Sequence, residues 1–276
     1  MSDTEFSPNR RAAQARMLRR RKITLSVAGG AAALLLIGGG VAWAVSAMQP
    51  AQPVESTQAT SPMPSAEVKP TTEPPKNEAP KYDLDSPSSI TVVVNKQRPI
   101  NPIDWAPDDL VLPAGVPNVW DHPIRAEAAT ALEAMYAASV DAGVPFTVTS
   151  GYRDYALQKE IYDGLVEQGG VAFADKDTAR PGFSEHQTGL TVDLFGEEGC
   201  SLDACFGETA TGIWLRDNSY RFGYILRYHD GEQATVGYTY EPWHFRYVGV
   251  DVATAMHDQG VLNLEDFFGL PPAPTT

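Results

Sequence analysis

The chain has 276 residues, room for one or two domains at roughly 100–200 residues each, and 43% of it is apolar. Its formal charge of −14 is unevenly spread: residues 1–22 hold seven of the 21 Lys/Arg and two of the 35 Asp/Glu, so the rest carries −19. A body this acidic argues against nucleic acid as a partner, and two cysteines exclude both a disulfide-dense miniprotein and a four-cysteine zinc site.

The N-terminus opens on Arg16, Arg19, Arg20, Arg21 and Lys22, followed by residues 23–48, which carry no charge and are dominated by Ala, Val, Leu, Ile and Gly. About 20 apolar residues span a bilayer as a helix, and basic flanks stay in the cytoplasm. Residues 1–22 are therefore expected to be cytoplasmic, residues 23–48 to form a transmembrane anchor, and the rest to lie outside. A cleaved signal peptide is the competing reading, because Val45-Ser46-Ala47 resembles a cleavage site. The apolar run is roughly twice the usual signal length, which favours the anchor. Residues 49–89 read as a linker, with nine prolines, many Ser, Thr and Ala, and no aromatic before Tyr82; such a composition cannot offset chain entropy by burial. At about 3.1 Å per residue it reaches roughly 120 Å. The Pro-rich tail, residues 271–276, is expected to be disordered.

The folded part is then residues 90–270. Residues 90–94 (Ile-Thr-Val-Val-Val) read as a strand. Residues 125–142 read as a helix with Ala128, Leu132, Met135 and Tyr136 on one stripe, continued by Val140. Residues 146–150 alternate like a strand. Residues 155–168 read as a helix capped by Asp154, with Leu157, Ile161 and Leu165 on one face and Gly169-Gly170 as the stop. Residues 190–195, 223–228 and 244–248 are strand-like, and residues 250–259 form a short helix ended by Gly260. Helices and hairpin-length strands without regular alternation point to an α+β fold with a mostly antiparallel sheet.

Two of the five histidines stand in unusual company: Ser184-Glu185-His186-Gln187-Thr188-Gly189-Leu190-Thr191-Val192-Asp193 and Tyr240-Glu241-Pro242-Trp243-His244-Phe245-Arg246-Tyr247. Asp193 interrupts an apolar strand pattern in which Val192 and Leu194 face the core. A carboxylate there needs water or a partner, and His186 can return to the same face across a Gly-containing loop. His244, Arg246 and Val248 share one face of the last strand, with Phe245 and Tyr247 on the other. Glu241 precedes His244 by three residues, and a bend at Pro242 can bring the two together. Two His and one carboxylate match an open, catalytic zinc site, with a further carboxylate free to take a proton from water.

These residues, with Val94-Asn95-Lys96, Asn101-Pro102 and Ser150-Gly151-Tyr152-Arg153-Asp154-Tyr155-Ala156-Leu157-Gln158, make the chain from about residue 90 to 260 resemble the zinc D-alanyl-D-alanine carboxypeptidases of the VanY type. The resemblance implies one Zn²⁺ held by His186, Asp193 and His244, Glu241 as catalytic base, and Arg153 acting on the substrate's oxyanion or C-terminal carboxylate. It implies a peptidoglycan stem peptide ending in D-Ala as substrate and a domain outside a bacterial membrane. Gln158 and Ser184 are expected to hydrogen-bond in the pocket, and Trp243 to line the pocket or pack beneath it. Asp154 stands where Ser is common and is expected only to cap its helix. His122, His229 and His257 are not expected to bind metal. An L,D-carboxypeptidase acting on tetrapeptide stems, and a non-catalytic wall-binding domain on the same fold, are the alternatives. Outside the cell Cys200 and Cys205 are expected to form a disulfide.

Overall fold

The computed structural model describes residues 82–196 and 200–273. The basic segment, the anchor expected at 23–48 and most of the expected linker lie outside them. Among the described residues no helix is long and apolar enough to cross a membrane.

A short antiparallel pair, β1 (Leu110–Val111) and β2 (Ile124–Arg125), leads into helix α1 (Ala126–Asp141). Its buried stripe is Ala128, Leu132, Met135 and Ser139, whereas Val140 is 47% exposed. Ser139 lies about three turns beyond Ala128, and one residue more overshoots by roughly a third of a turn at 3.6 residues per turn. The expected continuation at Val140 is thereby corrected. After β3 (Phe146–Ser150) comes α2 (Tyr155–Gly169). Asp154 caps it as expected, its Oδ1 accepting from Leu157 N at 2.7 Å. Helix α3 (Val171–Asp177), a 3₁₀ turn (Glu185–Thr188) and β4 (Thr191–Gly196) follow. A second 3₁₀ turn (Ala204–Glu208), α4 (Ala210–Asn218) and a third 3₁₀ turn (Ser219–Phe222) lead to β5 (Tyr224–Tyr228) and α5 (Gln233–Val236). The chain closes with β6 (Glu241–Tyr247), α6 (Val250–Gln259) and α7 (Leu264–Phe268).

The main sheet is antiparallel throughout, in the order β3-β4-β6-β5. Alternation along its strands separates two faces. Val148, Val192, Leu194, Tyr224, Leu226, Trp243, Phe245 and Tyr247 join the main core with Ala128, Leu132 and Met135 of α1 and Leu215 of α4. The other side of β5 and β6 carries Ile225, Arg227, His244 and Arg246. Ile225 belongs to a second cluster with Val252, Ala253 and Met256 of α6 and Leu264 of α7. Both faces are thus covered, and Thr191, Arg227 and Arg246 are fully buried.

Three sequence expectations change here. Residues 90–94 form turns and extended chain, not a strand. Arginine side chains take the place of a ladder partner: Arg98 Nε donates to Val93 O at 3.1 Å, and Arg246 Nη2 donates to Ile90 O and Val92 O at 3.1 and 2.8 Å. The domain also begins earlier than composition indicates. The Tyr82 ring packs on Phe268 at 5.2 Å, and Arg98 Nη2 donates to Leu84 O at 2.8 Å. At the other end Ala273 is buried, and its N–H bonds Thr235 O at 2.7 Å, so the tail is ordered to that point. Pro272 O also accepts from Gln97 Nε2 at 3.1 Å.

Candidate metal and catalytic site

Asp193 of β4 and His244 of β6 are direct cross-strand partners, on the face opposite Val192 and Phe245. Directly opposed side chains lie close enough to interact, and His244 Nδ1 is 3.4 Å from Asp193 Oδ1. His186 arrives from the 3₁₀ turn. Gly189, at φ 69°, takes the left-handed conformation that turns the chain from His186 into β4. His186 Nε2 then lies 3.4 Å from Asp193 Oδ2. Its Nδ1–H donates to Gly151 O at 2.8 Å. A Cβ at Gly151 would lie 3.0 Å from both His122 Cβ and Pro123 O, so only glycine fits without displacement there.

Strand β6 begins at Glu241, three residues earlier than expected, and Pro242 lies inside it. The register against β5 runs from Leu226↔Phe245 to Tyr228↔Glu241, two steps on β5 against four on β6. The pairing is irregular over this stretch, so strict two-residue alternation does not hold between Glu241 and His244. Glu241 Oε2 accordingly lies 3.6 Å from His244 Nδ1.

One ligating atom from each of His186, Asp193 and His244 lies within 4.8 Å of the others, and all three residues are buried. Zinc bonds of about 2.0–2.1 Å at tetrahedral angles separate ligand atoms by roughly 3.3–3.4 Å. The His186 Nε2–Asp193 Oδ2 and His244 Nδ1–Asp193 Oδ1 separations, one to each carboxylate oxygen, are both 3.4 Å and close to that spacing. Each imidazole is also anchored on its outer nitrogen, His186 by Gly151 O and His244 Nε2 by Glu185 Oε2 at 3.4 Å. Such outer partners fix the tautomer and ring orientation of metal-binding histidines. The donor set and its support therefore fit zinc.

Glu185 belongs to a buried ionic network. Arg227 Nε and Arg246 Nη1 reach its Oε1 at 2.9 and 3.2 Å. Arg227 also makes two bonds to Glu265, at 2.9 and 2.7 Å, and Asn95 Nδ2 completes Glu265 at 2.9 Å. Burial alone would raise the Glu185 carboxyl, but Arg227 and Arg246 hold it far below the usual carboxylate range. Asp193 is likewise driven down by His186 and His244 against its burial. Burial lowers His186, and Arg153 adds to that shift while Asp193 opposes it. Burial also pushes His244 down, but its bonds to Asp193 and Glu185 prevail and raise it to about 9. Asp193 and His186 thus stand in the forms a metal needs, while a cation arriving at His244 must displace a proton.

The other expected residues divide. Arg153 is brought to the site: burial depresses its guanidinium, and Asp193, Glu241 and Tyr238 oppose that shift. Its buried Nε has no hydrogen-bond partner. Gln158 is fully buried and spends its amide N–H groups on Thr178 Oγ1 and Ala179 O, at 3.1 and 2.7 Å, bracing the loop after α3; only its Oε1 lacks a partner. Ser184 is buried directly before the Glu185–Thr188 turn. Trp243 is 5% exposed and belongs to the main core, so of its two expected placements it takes the one packed beneath the site. His122 is buried beside His186, His257 stacks on Tyr220 at 3.7 Å, and neither belongs to the ligand cluster, nor does His229. Cys200 and Cys205 are disulfide-bonded as expected. Sequence reasoning missed Glu185, Arg227, Arg246, Glu265 and Tyr238. Three of the five, Glu185, Arg227 and Arg246, are charges within apolar or motif runs, which was a usable signal.

A family model described as VanY, D-alanyl-D-alanine carboxypeptidase, matches residues 121–250. A putative carboxypeptidase, YodJ of Bacillus subtilis, is 40% identical over 67% of this chain and 69% of its own length. Among solved structures, the LdcB LD-carboxypeptidase matches at 40% identity and TM-score 0.63, covering 66% of this chain and 87% of that one. A vancomycin-resistance D,D-pentapeptidase, VanY from a VanB-type cassette in complex with Zn(II), matches at 34% identity and TM-score 0.54, covering 64% and 97%.

Proposed function

The chain belongs to the VanY family of D-alanyl-D-alanine carboxypeptidases, and from that premise we propose that it is a zinc-dependent D,D-carboxypeptidase that releases the C-terminal D-Ala of peptidoglycan stem peptides. The observation that carries this reading is the triangle of His186, Asp193 and His244 with Glu241 3.6 Å from its edge. These three residues would hold one Zn²⁺ per chain. Bound zinc supplies Lewis acidity, which makes water a nucleophile near neutral pH and polarises the scissile carbonyl. Glu241 accepts the proton that the attacking water loses and returns it to the departing amine of D-Ala. Arg153, buried beside Glu241 with an unpartnered Nε, binds the substrate's terminal carboxylate. His186 and His244 are held in register by Gly151 O and Glu185.

A second reading, L,D-carboxypeptidase action on tetrapeptide stems, draws on the higher likeness to LdcB. Digestion of purified pentapeptide and tetrapeptide muropeptides, followed by mass spectrometry, separates the two. Loss of one alanine from the pentapeptide alone supports the D,D reading, and loss from the tetrapeptide alone overturns it. Chelation should abolish either activity.

The basic block and apolar run further support a single-pass tether with the domain outside the bacterial membrane. Protease treatment of intact spheroplasts should remove the domain and spare the arginine block. A mature N-terminus near Met48 would refute the tether.

A further inference from the structure

The loop between β4 and α4 lies outside the metal triangle. Its residues 200–205 are closed by the Cys200–Cys205 disulfide. Cys200 and Leu202, at φ 60° and 53°, are two of the three non-glycine residues with positive φ among the described residues. Such a backbone is costly for a leucine and persists only where its surroundings over-determine it. Here the covalent link and the packing of Cys200 and Leu202 on the main core do so. The loop runs into the 3₁₀ turn Ala204–Glu208, which Asp203 caps by accepting from Cys205 N at 3.1 Å and which Phe206 anchors in the core. Gly207 of that turn meets β6. A Cβ there would overlap Tyr240 Oη and lie 3.1 Å from Pro242 Cβ, so the turn presses on both chain neighbours of Glu241. The support falls where the ladder is least able to hold the chain. Glu241 is the first residue of β6, and strand ends open before centres. Pro242 has no N–H to give the ladder.

We propose that Gly207 is a positioning residue for Glu241: held in place by the Cys200–Cys205 link, it backs Tyr240 and Pro242 and so keeps the carboxylate 3.6 Å from His244. The assignment rests on the carboxypeptidase reading above, in which Glu241 is the base. Taking a proton from water demands hydrogen-bond reach, and a misplacement of about 1 Å can cost roughly 10²-fold in rate. The Glu241 side chain is 22% exposed, against 5–9% for the three ligands, so its own burial holds it less than theirs does.

The test compares zinc-loaded wild type with three variants: Gly207→Ala, Cys200→Ser plus Cys205→Ser, and Gly207→Ala plus Tyr240→Phe, which removes the overlapping oxygen. The first two should each lower kcat for release of D-Ala by about 10–100-fold and leave KM and zinc content unchanged. Amide hydrogen exchange should quicken in peptides covering residues 239–244 and stay as in wild type across 146–150 and 186–193. Tyr240→Phe should restore most of the rate lost in Gly207→Ala. In a Glu241→Gln background the same changes should cost no further rate, because the group they position is gone. An unchanged kcat in Gly207→Ala, zinc loss or a rise in KM in step with the fall in kcat, no rescue by Tyr240→Phe, or an equal fall in the Glu241→Gln background would each overturn the assignment. If the double cysteine variant does not fold, Gly207→Ala and its rescue decide the matter alone. Failure of the wild type to release D-Ala from muropeptides would instead sink the functional reading, and the exchange comparison would still show whether the turn supports residues 240–242.

Discussion

Glu185→Gln is the sharpest test of how the site is held. Glu185 has no side-chain exposure and lies 2.9 Å from Arg227, 3.2 Å from Arg246 and 3.4 Å from His244. In the network two buried glutamates balance two buried arginines, so the neutral amide leaves one positive charge uncompensated. Severing a buried pair in this way costs about 3–5 kcal/mol, a large share of the ~5–15 kcal/mol that holds a typical domain together. With a urea slope of about 1–3 kcal/mol per molar, the midpoint should fall by roughly 1–5 M. The substitution also removes the carboxylate behind His244, and outer partners of this kind are worth about 10–100-fold in metal affinity. Urea titration of the zinc-loaded protein, followed by competition against a chromophoric chelator, reads both effects. A midpoint shift below ~0.3 M together with zinc affinity within about twofold of wild type would refute the reasoning.

Glu241→Gln should retain zinc and lose about 10²–10⁴-fold in kcat; near-wild-type release of D-Ala would leave Glu241 as a mere neighbour of His244. His186→Ala and Asp193→Ala should each lose zinc, measured by metal analysis of the purified protein, and full occupancy in both would break the ligand assignment. Burial lowers His122 to about 4, with His186 and Arg153 adding to that shift. The unfolded chain therefore binds the proton first, and the stability His122 contributes is complete above ~6.5 and lost as pH falls toward about 4. His122→Gln should flatten the drop in urea midpoint between pH 7 and 4.5, and an unaltered pH profile would count against a neutral buried imidazole. Arg153→Ala should raise KM more than it lowers kcat if the guanidinium binds the ground-state carboxylate; the reverse split would move Arg153 to the oxyanion.

The sheet was legible because period-two alternation is strong in residues 146–150, 191–196 and 224–228, where one face meets α1. The ligand triangle was legible because Asp193 is a charge within an apolar strand and therefore needs partners. The limits have equally local causes. Residues 90–94 carry strand-forming side chains, but their carbonyls are satisfied by Arg98 and Arg246, a long-range arrangement that propensity does not encode. Pro242 read as a break, whereas the bulge lets it sit inside β6. Residues 82–89 have the composition of a linker, and their order depends on contacts with Phe267 and Phe268, about 185 positions away along the chain.

Tyr82, where the chain enters the domain, rests on Phe267 and Phe268 of α7. The same five-residue helix carries Glu265, which grips Arg227 and through it Glu185 and His244. The seat of Tyr82 and the support behind His244 therefore share one short helix, so a change that displaces α7 reaches both at once.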